Sequence, residues 1–151
     1  MARNQSRRQA RELAFQVLYS LFFAPAEDEA ALRRSFVLSP HNLRMDESSL
    51  DDEPEGFAWD LTHGVWRRQG EIDGQINRFS HHWRTEKMGK IELTLLRIAV
   101  HELVWLRDSP PRTIINEALE LADQFGASGA KQLINGILDA VAKNQRLSSL
   151  P

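Results

Sequence analysis

The sequence predicts an all-α protein. Apolar residues recur at helical spacing along almost the whole chain, and no segment alternates apolar and polar residues as a half-buried strand would. Pro25, the Pro110–Pro111 pair and Gly126 interrupt the pattern where helices would end. At 151 residues with 42% hydrophobic side chains, one compact domain can bury roughly 70% of its unfolded surface.

The first helix is expected over 6–23, stopping before Pro25, with Ala10, Ala14, Val17, Leu18 and Leu21 as its buried stripe. A weaker helix follows over 27–37. The stretch "SPHNLRMDESSLDDEPEG", 39–56, is acidic, poor in large apolar residues and bracketed by Pro40 and Pro54, which marks a surface loop or mobile insertion. A long helix over 55–80 sets Phe57, Leu61, Val65, Ile72, Ile76 and Phe79 on one side; its stripe is interrupted near Arg68, and Gly70 and Gly74 are candidate bends. Over 91–106 apolar residues occupy two faces, Ile91, Leu95 and Ile98 on one and Leu93, Leu96, Val100 and Leu103 on the other, as a central, surrounded helix requires. "SPPRT" then breaks the chain and favours a new first turn. Ile114, Ala118, Leu121, Ala122 and Phe125 form the next stripe, capped by Gly126, and the last helix, over 128–144, buries Leu133, Ile134, Ile137, Leu138 and Val141.

Composition excludes several chemistries. The chain has no cysteine, hence no disulfide, thiolate-metal site or thiol nucleophile, and this fits a reducing cytoplasm. No signal-type apolar segment opens it, and no apolar run approaches the roughly 20 residues that cross a bilayer. "HELVW", from His101, begins like the zinc-protease motif but has Trp105 where the second histidine must stand. "GASGAK", 126–131, lacks P-loop spacing, and no G-x-S-x-G occurs. Neither metal nor cofactor is expected, and the chain reads as a binding protein, not an enzyme.

The net charge of −2 hides a polar distribution. Arg3, Arg7, Arg8 and Arg11 gather before the first acid, Glu12, whereas Asp46, Glu47, Asp51, Asp52, Glu53 and Glu55 cluster in the acidic stretch. On an ideal helix Arg8, Arg11, Phe15, Tyr19 and Phe22 share a sector of roughly 80°. Such a stripe suits single-stranded RNA, because guanidinium forks grip phosphates while unstacked bases lie on aromatic faces. A protein or membrane contact, or a plain solvated helix start over a widened core stripe, would use the same residues. Cations at a helix N-terminus oppose the macrodipole by about 0.3 kcal/mol or more each, so the cluster does not assist folding.

Two further places stand out. The final helix begins among Ser128, Gly129 and Ala130, with Lys131 one turn inside, which could take an anion or could be only a tight turn between helices. Gly136, inside "LINGILDAV", costs about 1 kcal/mol relative to alanine, which close approach of another helix would justify, with Asn135, and likewise Asn116, as buried amide clamps.

Taken together, "RRQARELAFQVLYSL", "IELTLLRIAVHEL" and "SPPRTIINEALELADQFGASGAKQLINGILDAV" resemble, in order and spacing, the arginine-rich first helix, central helix and C-terminal pair of the NusB family of bacterial transcription antitermination factors. The match covers about 15 N-terminal residues and most of 88–141, and is weak over 24–56. The INEA and NGILD segments alone would also fit a helical domain that precedes the catalytic domain of some RNA cytosine methyltransferases, but the chain ends at Pro151 without room for that domain.

The resemblance implies an all-α bundle of about seven helices in two packed subbundles, with 1–80 as the N-terminal subbundle, 81–144 as the C-terminal one and 145–151 as a tail. It implies binding of the boxA element of nascent ribosomal RNA, pairing with the ribosomal protein NusE, and loading onto RNA polymerase with other Nus factors. Arg3, Arg7, Arg8, Arg11 and Tyr19, with Gly129 and Lys131, become the expected RNA contacts, and Glu92 a contact to partner or RNA. Gln9 replaces a common arginine, Gly129 a common acid and Leu133 a usual phenylalanine, the last removing a stacking face. The alternative is a protein-interaction module, as a homodimer or with a ribosomal or transcription protein, in which RNA is incidental.

Overall fold

The computed structural model describes residues 6–42, 52–81 and 84–148. Within them lie seven α-helices and no strand: α1 Arg7–Ser20, α2 Glu29–Val37, α3 Phe57–Arg67, α4 Gln69–Phe79, α5 Lys90–His101, α6 Pro111–Gln124 and α7 Lys131–Ser148. The chain divides into two compact units, 1–67 and 68–151, so α4 groups with the later helices although the sequence suggested a boundary at 80.

In the first unit α1 lies along α3, with α2 against α3. Ala10, Leu13 and Val17 of α1 close on Leu32, Phe36 and Val37 of α2 and on Ala58 and Trp59 of α3. Trp59 meets Phe36 edge to face, with ring centroids 5.1 Å apart, an arrangement aromatic quadrupoles favour. α1 is shorter than its apolar pattern: it ends at Ser20, and 21–23 continue as a turn before Pro25. The ends of the acidic stretch are docked: the Asn42 side chain donates to the Phe36 carbonyl (2.9 Å), and Glu53 accepts from the Trp59 indole (3.2 Å) and pairs with Arg33 (3.4 Å). Residues 43–51, where the loop was expected to be mobile, lie outside the described residues.

The second unit is built around α5, which packs against α4, α6 and α7. Leu93, Leu95, Leu96, Ile98 and Val100 are all buried, as the two-faced apolar pattern required. Arg97 of α5 grips Asp73 of α4 with two hydrogen bonds of 2.8 Å. The expected single helix over 55–80 is two helices, broken at Arg68 and not at Gly70 or Gly74. Past His101 the helix of α5 widens into a π-helical turn, Glu102–Leu106, ended by Arg107 in the left-handed region (φ 55°); such widenings accommodate an extra residue within a helix. Gly126 (φ 87°) closes α6, as read from the sequence.

Three readings of the C-terminal half need correction. Gly136 is exposed and a β-carbon there would meet nothing within 4 Å, so no helix approaches it closely. Asn135 and Asn116 are exposed as well and are not buried clamps. The helix expected to stop at 144 runs on to Ser148, through much of the presumed tail.

Candidate nucleic-acid interface

The basic start of the chain is organised by a helix cap and one aromatic ring. Ser6 and Gln9 form a capping box: the Gln9 N–H donates to Ser6 Oγ (3.1 Å) and the Ser6 N–H to Gln9 Oε1 (3.3 Å). Two orphan donors of the helix start are thus satisfied reciprocally. Gln9, which departs from the arginine expected here, anchors the first turn instead of adding charge. No acid sits in that turn, so its macrodipole and its arginines give one positive potential.

Phe57, at the start of α3, receives two of those arginines. The Arg7 guanidinium lies 4.2 Å from its ring centroid and that of Arg11 5.3 Å, both within cation–π range. Their settings differ. Arg7 and Arg8 are exposed, whereas Arg11 is only 3% exposed and belongs to the packed edge of the first unit. Arg3 lies outside the described residues.

The aromatic half of the predicted stripe divides in the same way. Phe15 is 3% exposed and part of the core. Tyr19 is half-buried, with Phe15 stacked on it (5.7 Å, 15°) and Phe22 and Phe23 edge-on at 6.4 and 5.3 Å. Arg8 and Tyr19 stand about 20° apart around α1 and about 16 Å apart along it. The surface stripe is therefore narrower than its sequence pattern: Arg8 and Tyr19 lie at its edge, while Arg11 and Phe15 turn inward.

In the second unit a groove of about 410 Å³ runs between the start of α5 and the α6–α7 turn, lined by Met88, Gly89, Glu92, Gly129 and Leu133 among others. It unites Glu92 with Gly129. A β-carbon at Gly89 would displace the Glu92 carboxylate, so the small residue lets that carboxylate lie against the helix start, and Glu92 Oε2 is buried without a hydrogen-bond partner. Gly129 is different: a β-carbon would meet nothing within 4 Å. Lys131 turns elsewhere. Its Nζ donates to Asp123 Oδ2 (2.8 Å), and Ser128 Oγ donates to Oδ1 (2.9 Å). These two bonds, that from Lys131 first, hold the Asp123 carboxyl below its usual range.

Sequence reasoning missed Phe57 as the ring beneath Arg7 and Arg11, because that contact joins α1 to α3 across the acidic stretch. It missed Asp123 because the partner of Lys131 lies across the Gly126 turn. Among the described residues no group of three or more histidines and acids is placed to hold a metal ion, and no helix is long and apolar enough to cross a membrane.

Comparison with known proteins matches residues 8–143 to the NusB family. The transcription antitermination protein NusB of Desulfovibrio desulfuricans is 57% identical over 142 residues, covering 93% of this chain and 87% of that one. The NusB of Myxococcus xanthus is 36% identical over 137 residues, covering 91% and 94%. Among solved structures, T. maritima NusB superposes with a TM-score of 0.74 at 27% identity, covering 93% of each chain. A chain from a complex of the antitermination factors NusB and NusE with double-stranded RNA gives 0.71 at 26% identity, covering 91% of this chain and 96% of that one.

Proposed function

Since the chain belongs to the NusB family, we propose that it is a non-enzymatic transcription antitermination factor that binds boxA-type single-stranded RNA of nascent ribosomal RNA transcripts together with NusE. The pair loads onto RNA polymerase with the other Nus factors and suppresses termination. The protein acts in the cytoplasm and uses no cofactor.

The observation that carries this reading is the exposed pair Arg7 and Arg8 on a capped helix start, with Arg7 seated over Phe57. Guanidiniums there neutralise phosphates and release condensed counterions, the main source of affinity for a nucleic-acid strand. The cap fixes their spacing in advance, so less ordering entropy is lost on binding. With Arg3 counted as a third phosphate contact and Arg11 withdrawn into the fold, about three phosphates are neutralised, and Tyr19 marks the aromatic end of the track. The groove holding Glu92 and Gly129 is a second contact, where the carboxylate accepts hydrogen bonds from a base edge or from NusE. Lys131 reaches RNA only by leaving Asp123. Support for RNA and NusE as partners comes also from the solved complex of related NusB and NusE chains with double-stranded RNA.

Titration of boxA-like and scrambled single strands, each with and without NusE, tests the proposal. Tighter binding of the boxA-like strand, strengthened by NusE, is expected; equal and salt-insensitive binding of both strands would overturn it.

A further inference from the structure

Phe23 is 66% exposed, an unusual setting for a phenylalanine that is not isolated but sits edge-on to Tyr19. Tyr19 has one face taken by Phe15 and is met by the Phe22 and Phe23 rings. Its capacity to stack on a base is therefore largely spent inside the protein. The open aromatic face at this end of α1 belongs to Phe23. The turn after α1 holds it in place: the Phe23 N–H donates to the Ser20 carbonyl (3.0 Å), as does that of Ala24 (3.1 Å), and Pro25 ends the turn.

Ser20 also lines a groove of about 520 Å³ between the ends of α1 and α2, with Gln16, Arg34, Ser35, Ser39 and His41 among its walls. Among the described residues no carboxylate lines it, and Arg34 makes no ion pair with any of them. Of the acids that open α2, Glu29 pairs with His63 (3.0 Å) and Asp28 is engaged as the cap, accepting from the Ala31 N–H (2.8 Å). The groove joins three serine hydroxyls and the Arg34 cation to the exposed Leu38 and Pro40, a mixed wall that complements a sugar-phosphate strand and its base better than it complements a wholly apolar protein surface, which would need a dry, uncharged wall.

We propose that the C-terminal end of α1 is a nucleotide subsite in which Phe23 stacks on an unpaired base of the RNA and Arg34 takes the adjoining phosphate in the groove. This rests on the RNA-binding reading above and extends its track beyond Tyr19. Phe23 is the stacking residue there, and Tyr19 positions it.

The test uses the full chain and a single strand of about 12 nucleotides, long enough to run the length of such a site, carrying a fluorescent aminopurine as reporter base. Phe23→Leu keeps an apolar side chain but removes the ring; because the residue is exposed, the fold is not at stake. It should weaken binding about five- to hundredfold and abolish quenching of the reporter, while Phe23→Trp restores both. Arg34→Gln should make the slope of log K against log salt shallower by about 0.7. If the wild-type chain binds, Arg8→Gln weakens it, and Phe23→Leu changes nothing, the subsite is overturned and the RNA-binding reading stands. If Phe23→Leu instead impairs only NusE binding, the face is a protein contact and the subsite is likewise overturned. If the wild-type chain binds no strand, both fall together.

Discussion

The guanidinium of Arg7 lies 4.2 Å from the centroid of the Phe57 ring, which it shares with Arg11 at 5.3 Å. One aromatic side chain on α3 thereby fixes where two cations of α1 are held, one exposed and one buried. Replacing Phe57 with leucine keeps the apolar contact and removes the quadrupole. Each cation–π contact contributes about 0.5–1 kcal/mol at such sites. RNA affinity should fall about two- to fivefold, with a parallel loss in urea stability of about 1 kcal/mol, measured by titration and denaturation on the same preparation.

Asp123 holds Lys131 through a 2.8 Å ion pair at the α6–α7 turn. Asp123→Asn removes a negative charge and releases the lysine. The salt slope of RNA binding should then steepen by about 0.7, the value of one additional phosphate contact, and affinity at low salt should rise. Binding measured between low and moderate salt checks this; an unchanged slope would mean that Lys131 stays away from the strand.

His101 is 3% exposed, stacks on Trp105 (6.0 Å, 22°) and has no hydrogen-bond partner at Nδ1. Burial, reinforced by the charge of Arg68 and opposed by that of Asp108, lowers its pKa from 6.5 to about 4. The unfolded chain therefore binds the proton more readily, so the stability from the neutral ring is fully present above pH 6.5 and is lost as pH falls toward 4. Between pH 7.5 and 5 the loss should be about 2 kcal/mol. Urea midpoints at the two pH values measure it, and His101→Phe should remove most of the difference.

Gly136 sits exposed in the middle of α7 with open space where a β-carbon would point. Gly136→Ala should therefore stabilise the protein by up to about 1 kcal/mol, since alanine loses less backbone entropy in a helix. Thermal or urea unfolding will register the gain; a loss would reveal a contact at this site.

Gly136 also shows where sequence reading falls short. The stripe Ile134, Ile137, Leu138 and Val141 was legible and is buried, yet the same helical wheel places residue 136 about 150° from the centre of that stripe. The pattern thus already argued against a close approach. The helices themselves were legible because an apolar stripe is a local signal. Arg11 and Phe15 were misplaced on the RNA face because an apolar arc and a basic arc overlap on α1, and only the packing of α3 decides which side of the overlap is covered. Phe23 lay outside the stripe because at helical spacing it falls about 40° beyond Tyr19, and nothing local marks a ring as exposed.

The central claim is that the outward arginines of α1 neutralise RNA phosphates. The most direct measurement is the slope of log K against log salt for a boxA-like single strand, comparing the wild-type chain with Arg7→Gln/Arg8→Gln. Loss of two phosphate contacts predicts a slope shallower by about 1.4 in the double variant than in the wild type. Equal slopes for the two proteins would contradict the account.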